Sequence, residues 1–189
     1  MAIDKITSAG ITTDAVGPTQ LNEAANYAFT GTVTGAGASN KPAFFVYKVS
    51  SSNQDISNNT ATKITFDNES WDVGSGFDLA NNKFVVPSGE GGKYHINFTC
   101  RTFDSGGELY SVRQQIYKNG SRVSNNEFYG GADGEFEMQG TTFSHVVDLD
   151  LSASDYLECY MTCKTHDSSD ITILGDTNLK TYFTGYKLF

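Results

Sequence analysis

The chain has 189 residues, enough for one domain with a sizeable core plus an appendage. Its net charge of −9 argues against nucleic-acid binding, which needs a basic footprint for phosphates. No apolar run approaches the roughly 18 residues that span a bilayer, so no membrane insertion is expected. Abundant Gly, Ser, Thr and Asn, frequent aromatics and few Leu/Ala/Glu/Lys stretches describe short strands joined by tight turns rather than helices.

Residues 1–41 carry small residues, threonines and glycines but few large apolar groups, so this segment buries too little surface to fold alone. It reads as an extended N-terminal arm that orders on another chain, ending in the linker GAGASN. Within it, residues 19–27 suit a brief helical turn capped by Thr19, and 26–33 suit one short strand. The opening MAIDKITSAG has no apolar core of a secretory signal, which leads to an expectation of synthesis in a reducing cytoplasm. Cys100, Cys159 and Cys163 fit that expectation as buried free thiols, because two of them share one face of a single strand.

From Pro42 onward, strand signals follow at short intervals. Strands are predicted over 43–50, 62–68, 83–87, 92–103, 108–120, 121–129, 138–151, 156–165 and 179–189. In 92–103, Tyr94, Ile96, Phe98 and Cys100 alternate with His95, Asn97 and Thr99, which places His95 on the polar side. Asn119-Gly120 is the favoured pair for a tight hairpin between 108–120 and 121–129. Residues 179–189 are apolar on both faces, with Phe183 and Phe189 on one and Tyr182, Tyr186 and Leu188 on the other. A strand with no wet face lies between two layers or at a subunit interface. The second option makes Tyr182, Tyr186 and Leu188 candidate residues of an oligomer interface.

The residues give little support to catalysis. There is no G-x-S-x-G elbow, no phosphate loop and no zinc-ligand spacing, and His145 and Asp148 have opposite strand parity. Acidic loops at 104–108, 130–135 and 165–170 offer hard oxygen ligands to calcium, yet none follows the EF-hand pattern and acidic loops are usually solvated. The expectation is therefore no enzyme, no catalytic or metal residues and no cofactor, with calcium the one ion left open.

Phe66, Asp72, Phe77 and Phe84 stand at successive intervals of six, five and seven residues, followed by the strand Gly92, Tyr94, Ile96, Phe98. With the hairpin Lys118-Asn119-Gly120 and the terminal FTGYKLF, these landmarks resemble the C1q/tumour-necrosis-factor-like domain over about 42–189. The loop VPSGEGG is two residues longer than that family's pattern, and Ile96 stands where it usually has Phe. The resemblance implies an all-β, ten-stranded jelly-roll sandwich, a homotrimer, and binding of proteins or cell surfaces rather than chemistry.

The arm, IDKITSAGITTDAVGPTQLNEAANYAFTGTVTGAG, resembles segments of fibre and other structural proteins of tailed bacteriophages, marine and cyanobacterial ones in particular. Together the two resemblances imply a virion protein assembled in the host cytoplasm. Its arm (1–41) would anchor to other virion proteins, and its trimeric head (42–189) would bind a host glycan or outer-membrane protein as a tail-fibre tip. Asn125, Asn126 and Tyr129 are the candidate receptor-binding residues. The alternatives are a capsid decoration or head-fibre protein, and a cellular C1q-like adhesion ligand.

Overall fold

The chain divides into two units, Met1–Gly37 and Ala38–Phe189. A computed structural model describes residues 41–49, 51–106, 108–130 and 138–189 of the second. The helical turn and short strand expected within 19–33, and most of the acidic loop 130–135, lie outside the described residues.

The described residues contain strands and no helix, in two antiparallel sheets. The first holds β1 (Ala43–Tyr47), β2 (Gln54–Ile56), β4 (Asn68–Val73), β7 (Gly92–Phe103), β10 (Thr142–Leu151), β12 (Ile171–Ile173) and β13 (Tyr182–Lys187). Its order is β2-β12-β7-β13-β1-β4, with β10 on the other side of β7. The second holds β3 (Thr62–Lys63), β5 (Phe77–Asp78), β6 (Lys83–Val85), β8 (Leu109–Lys118), β9 (Ser121–Tyr129) and β11 (Tyr156–Thr165). Its order is β5-β6-β11-β8-β9, with β3 also on β11. Non-consecutive neighbours such as β7-β13 and β11-β8 make this the expected jelly-roll sandwich rather than a set of hairpins.

Among the described residues there are thirteen strands, several of only two or three residues, against the expected ten. Residues 62–68 are not one strand: Thr62–Lys63 pairs with β11 in the second sheet, while Asn68–Val73 pairs with β1 in the first. Between them Ile64 and Phe66 drop into the core as the chain changes layer. The additional strands β2, β5 and β12 have only two or three residues, too few for a period of two to register.

The core is built from the inward set of each strand. Phe44 stacks on Phe84 at 4.5 Å and meets Phe183 edge-on at 4.9 Å. Phe66 and Phe77 close the same group, so the aromatics spaced along 66–84 converge on one point. Each such ring contributes about 2–3 kcal/mol by leaving water. Asp72 belongs to the same spacing for a different reason, since its carboxylate accepts the backbone N–H of Gly76 (3.1 Å) and of Phe77 (2.9 Å). That pair of bonds shapes the turn that delivers Phe77 to the core. On β13, Gly185 faces inward where a Cβ would stand 3.0 Å from Phe44 Cε1 and 2.7 Å from Ile96 Cδ1. Phe189 does not join Phe183 in the core. β13 ends at Lys187, the alternation lapses, and Phe189 is 68% exposed.

Candidate functional site

Strand parity also determines what the sandwich shows to the outside. Cross-strand partners in antiparallel sheets project to the same face, so the registers of β4, β1, β13, β7 and β10 lay out the outer face of the first sheet in three rows. One row runs Val73, Ala43, Tyr186, His95, Asp148. The next runs Trp71, Phe45, Thr184, Asn97, Val146, and the third Asn68, Tyr47, Tyr182, Thr99, Ser144.

The face is divided. On the β4-β1-β13 side Phe45 is the hub, with its ring 5.2 Å from Tyr182 and nearly parallel to it, 6.1 Å from Trp71 and 6.5 Å from Tyr47. Trp71, the chain's single tryptophan, stays 42% exposed there and Tyr186 37%. On the β7-β10 side two of the three rows pair polar groups bonded to each other, while Val146, opposite Asn97, is apolar and exposed. His95 Nδ1 lies 2.8 Å from Asp148 Oδ1, and Thr99 shares a hydrogen bond with Ser144. Tyr186 joins the halves, its ring 5.3 Å from His95.

Of the three interface candidates, Tyr182 and Tyr186 lie on this face and Leu188 lies just past the end of β13, half-buried. Phe45, Tyr47 and Trp71 were not singled out from the sequence. The signal was present in 43–47, which is apolar on both parities just as 182–188 is.

The outer face of the second sheet has the opposite character. Its rows bring together Asn125, Gln115, Tyr160 and Lys63, then Glu127, Arg113 and Thr162, then Tyr129, Ser111 and Lys164. Gln115 donates to Thr162 Oγ1 at 2.7 Å and accepts from the Tyr117 hydroxyl at 3.3 Å. Arg113 reaches both carboxylate oxygens of Glu127, at 2.9 and 3.0 Å, and Lys63 pairs with Glu158. These groups are satisfied within the face itself.

The receptor-binding candidates do not share one surface. Asn125 and Tyr129 lie on this outer face, whereas Asn126 has the other parity and donates to Ser144 O at the edge of the sandwich, 3.3 Å away. All three are exposed. Tyr129 rests edge-on against Tyr110 at 5.8 Å, and Tyr110 stacks on His166 at 4.3 Å.

The three histidines are dispersed. His95 lies on the outer face as its parity predicts, His145 sits in the seam between β10 and β9, and His166 is near the Tyr110 end. Ser124 Oγ and His145 Nε2 are 2.8 Å apart, the spacing of a nucleophile and its base. His145 is buried, however, and the pair faces the seam rather than a cleft. Among the described residues no three His, Cys, Asp or Glu side chains are placed to hold a metal. Asp104, in one of the acidic loops, spends its carboxylate on the backbone N–H of Gly106 and Glu108, at 3.1 and 2.7 Å. The cysteines are free and buried, and burial pushes the Cys100 thiol up to about 12.

No protein-family profile and no curated protein matches the sequence. Solved structures do. The globular domain of zebrafish complement 1qA protein aligns at TM-score 0.50 and 16% identity, over 79% of this chain and 98% of that one. Eiger TNF from S. frugiperda aligns at TM-score 0.58 and 15% identity, over 79% and 94%. Murine APRIL at pH 5.0 aligns at TM-score 0.54 and 12% identity, over 78% and 98%. At these identities the likeness establishes the fold, a C1q/TNF-type jelly roll.

Proposed function

We propose that the chain is a bacteriophage virion protein whose C1q/TNF-like head assembles as a homotrimer and attaches the particle to the host surface. Residues 1–41 dock the head onto other virion proteins. The observation that carries the assembly is the contrast between the two outer faces. The second sheet satisfies its polar groups internally, whereas the first presents half-buried Phe45 and Tyr182 with exposed Trp71 as one aromatic cluster. A contiguous aromatic patch with a polar flank is the composition of a subunit interface. Resemblance to the C1q/TNF family supports three copies as the closed number.

The virion half of the proposal is supported by the phage-like sequence of the arm and by three buried free thiols, which suit synthesis in a reducing compartment. The head acts by binding rather than catalysis. The host ligand is a glycan or an outer-membrane protein, and Asn125 and Tyr129 on the exposed outer face remain candidates to meet it.

Gold-labelled antibody against the chain, applied to virions of the encoding phage, tests this. Label at the tail or its fibres, with adsorption blocked by excess soluble chain, is the expected result. Label over the capsid transfers the protein to the decoration reading, and unlabelled virions overturn the assignment. Deletion of residues 1–40 is expected to abolish incorporation into particles.

A further inference from the structure

β10 is an edge strand, paired only with β7 among the described residues, and side chains of the other sheet close its free side. From the core side, Gln114 Nε2 of β8 donates to Phe143 O at 2.8 Å and Phe98 O at 3.2 Å, carbonyls of the β7–β10 ladder rather than of the free edge. Asn126 donates to Ser144 O, and Lys118 Nζ to Asp150 O at 3.2 Å. Covering edge carbonyls in this way denies them to a foreign strand.

His145 sits within this row of caps, 7% exposed, and its ring Nε2 meets Ser124 Oγ of β9 at 2.8 Å. Gln114 is fully buried beside the seam, and its Oε1 has no hydrogen-bond partner among the described residues.

We propose that His145 is an acid-sensitive latch: the neutral imidazole holds the β9–β10 seam closed, and its protonation releases β10. A protonated ring would be a cation in a buried seam where, among the described residues, no carboxylate meets it. Asp148 and Asp150 of β10 are turned outward to His95 and Lys93 of β7. Arg101 of β7 reaches Thr142. Arg113 and Glu127 pair on the far face, Lys118 engages Asp155, and Arg122 of β9 is exposed.

Burial alone lowers the His145 pKa from its ordinary 6.5. The stability that the neutral ring contributes is therefore present above 6.5 and is lost as pH falls toward the lowered folded value. Opening would uncover Phe143, Val147 and Leu149, which pack against the core. It would also displace Ser144, Val146 and Asp148 from the outer face of the first sheet. A weakening of assembly by acid rests on the trimer proposed above, whereas the latch itself does not.

Hydrogen–deuterium exchange of the full chain at pH 7.5 and 5.5, corrected for the intrinsic rate at each pH, reads the latch, with native mass recorded in parallel. One proton taken up on opening raises the open population over that interval, by at most about tenfold. Amides of β9 and β10 are expected to lose up to that much protection while β8 and β11 keep theirs, and His145→Gln removes the difference. Equal protection at both pH values, or the same acid loss in His145→Gln, overturns the latch. Should that variant not fold, an NMR titration of the wild-type ring decides, and a pKa at or above 6.5 with unmoved β10 amides is the overturning result. Loss of β10 protection in a chain that is monomeric at both pH values supports the latch and counts against the trimer alone.

Discussion

Lys48, one residue past the end of β1, continues the inward parity of Phe44 and Val46, and its side chain enters the sandwich. The stem packs where an apolar residue would, while Nζ donates to Ser52 O at 2.7 Å and to Thr65 Oγ1 at 3.0 Å. Burial lowers its pKa. Lys48→Ala removes both the packing and the donor and leaves two acceptors unmet, an expected loss of about 2–4 kcal/mol in urea unfolding. Lys48→Met keeps most of the stem and is expected to cost less.

The cysteines are the second case at this scale. Burial raises all three thiols well above their ordinary range, so the thiolate needed for attack is scarce at neutral pH. A thiol-exchange reagent at pH 7.5 is expected to leave the folded chain unmodified and to titrate all three cysteines once it is unfolded. Rapid labelling of the native chain would contradict this burial.

Among the elements, the clearest are those whose alternation runs uninterrupted between two turns. β7, β9 and β11 begin and end where the sequence places them, at 92–103, 121–129 and 156–165. The segment 62–68 reads as one strand because alternation reports a side chain's face and not the sheet that a strand joins. The chain changes sheets there while Ile64 and Phe66 continue to look like strand residues. The turns interlock in a way that no dipeptide reveals. Asn119, at φ 52° before Gly120 at 77°, makes the expected hairpin, and its side chain also reaches the next turn. Its Nδ2 donates to Asp155 Oδ1 at 2.7 Å, and its Oδ1 accepts from Tyr156 N at 2.9 Å.

The Asn119 amide and the Ser152 backbone N–H hold the Asp155 carboxyl down at about 2. Its stabilising contribution is present above the ordinary 3.8 and is lost as pH falls through about 2. Asp155→Asn is therefore expected to lower the melting temperature at pH 5 and to narrow its gap to wild type at pH 2, as read by thermal melts. A gap that stays constant with pH would assign the turn's stability to the uncharged bonds.

On the scale of the whole molecule, the sandwich was legible because the aromatic spacing from Phe66 to Phe84 and the strand from Gly92 to Phe98 are core positions, and core positions repeat with the fold. The outer face was legible only in part. Tyr182 and Tyr186 stood out because their strand lacks a polar side. The cluster that they complete needs the registers of β1 and β4, which bring Phe45 and Trp71 beside them from more than a hundred residues away in sequence. Asn125, Asn126 and Tyr129 are polar or aromatic residues near one another in sequence, and the pleat turns Asn126 away from Asn125 and Tyr129. A patch centred on Phe45 makes a specific demand, because a charge at its hub should dissociate the assembly without disturbing the core on the other side of the sheet. Phe45→Glu is expected to be folded and monomeric by circular dichroism and sedimentation.

Sedimentation velocity of the wild-type full chain beside Phe45→Glu is the most direct test of assembly through this face. Three times the 20.5 kDa chain mass for wild type, falling to a single chain mass in the variant, is the predicted result. A monomeric wild type, or a trimer that Phe45→Glu leaves intact, would contradict it.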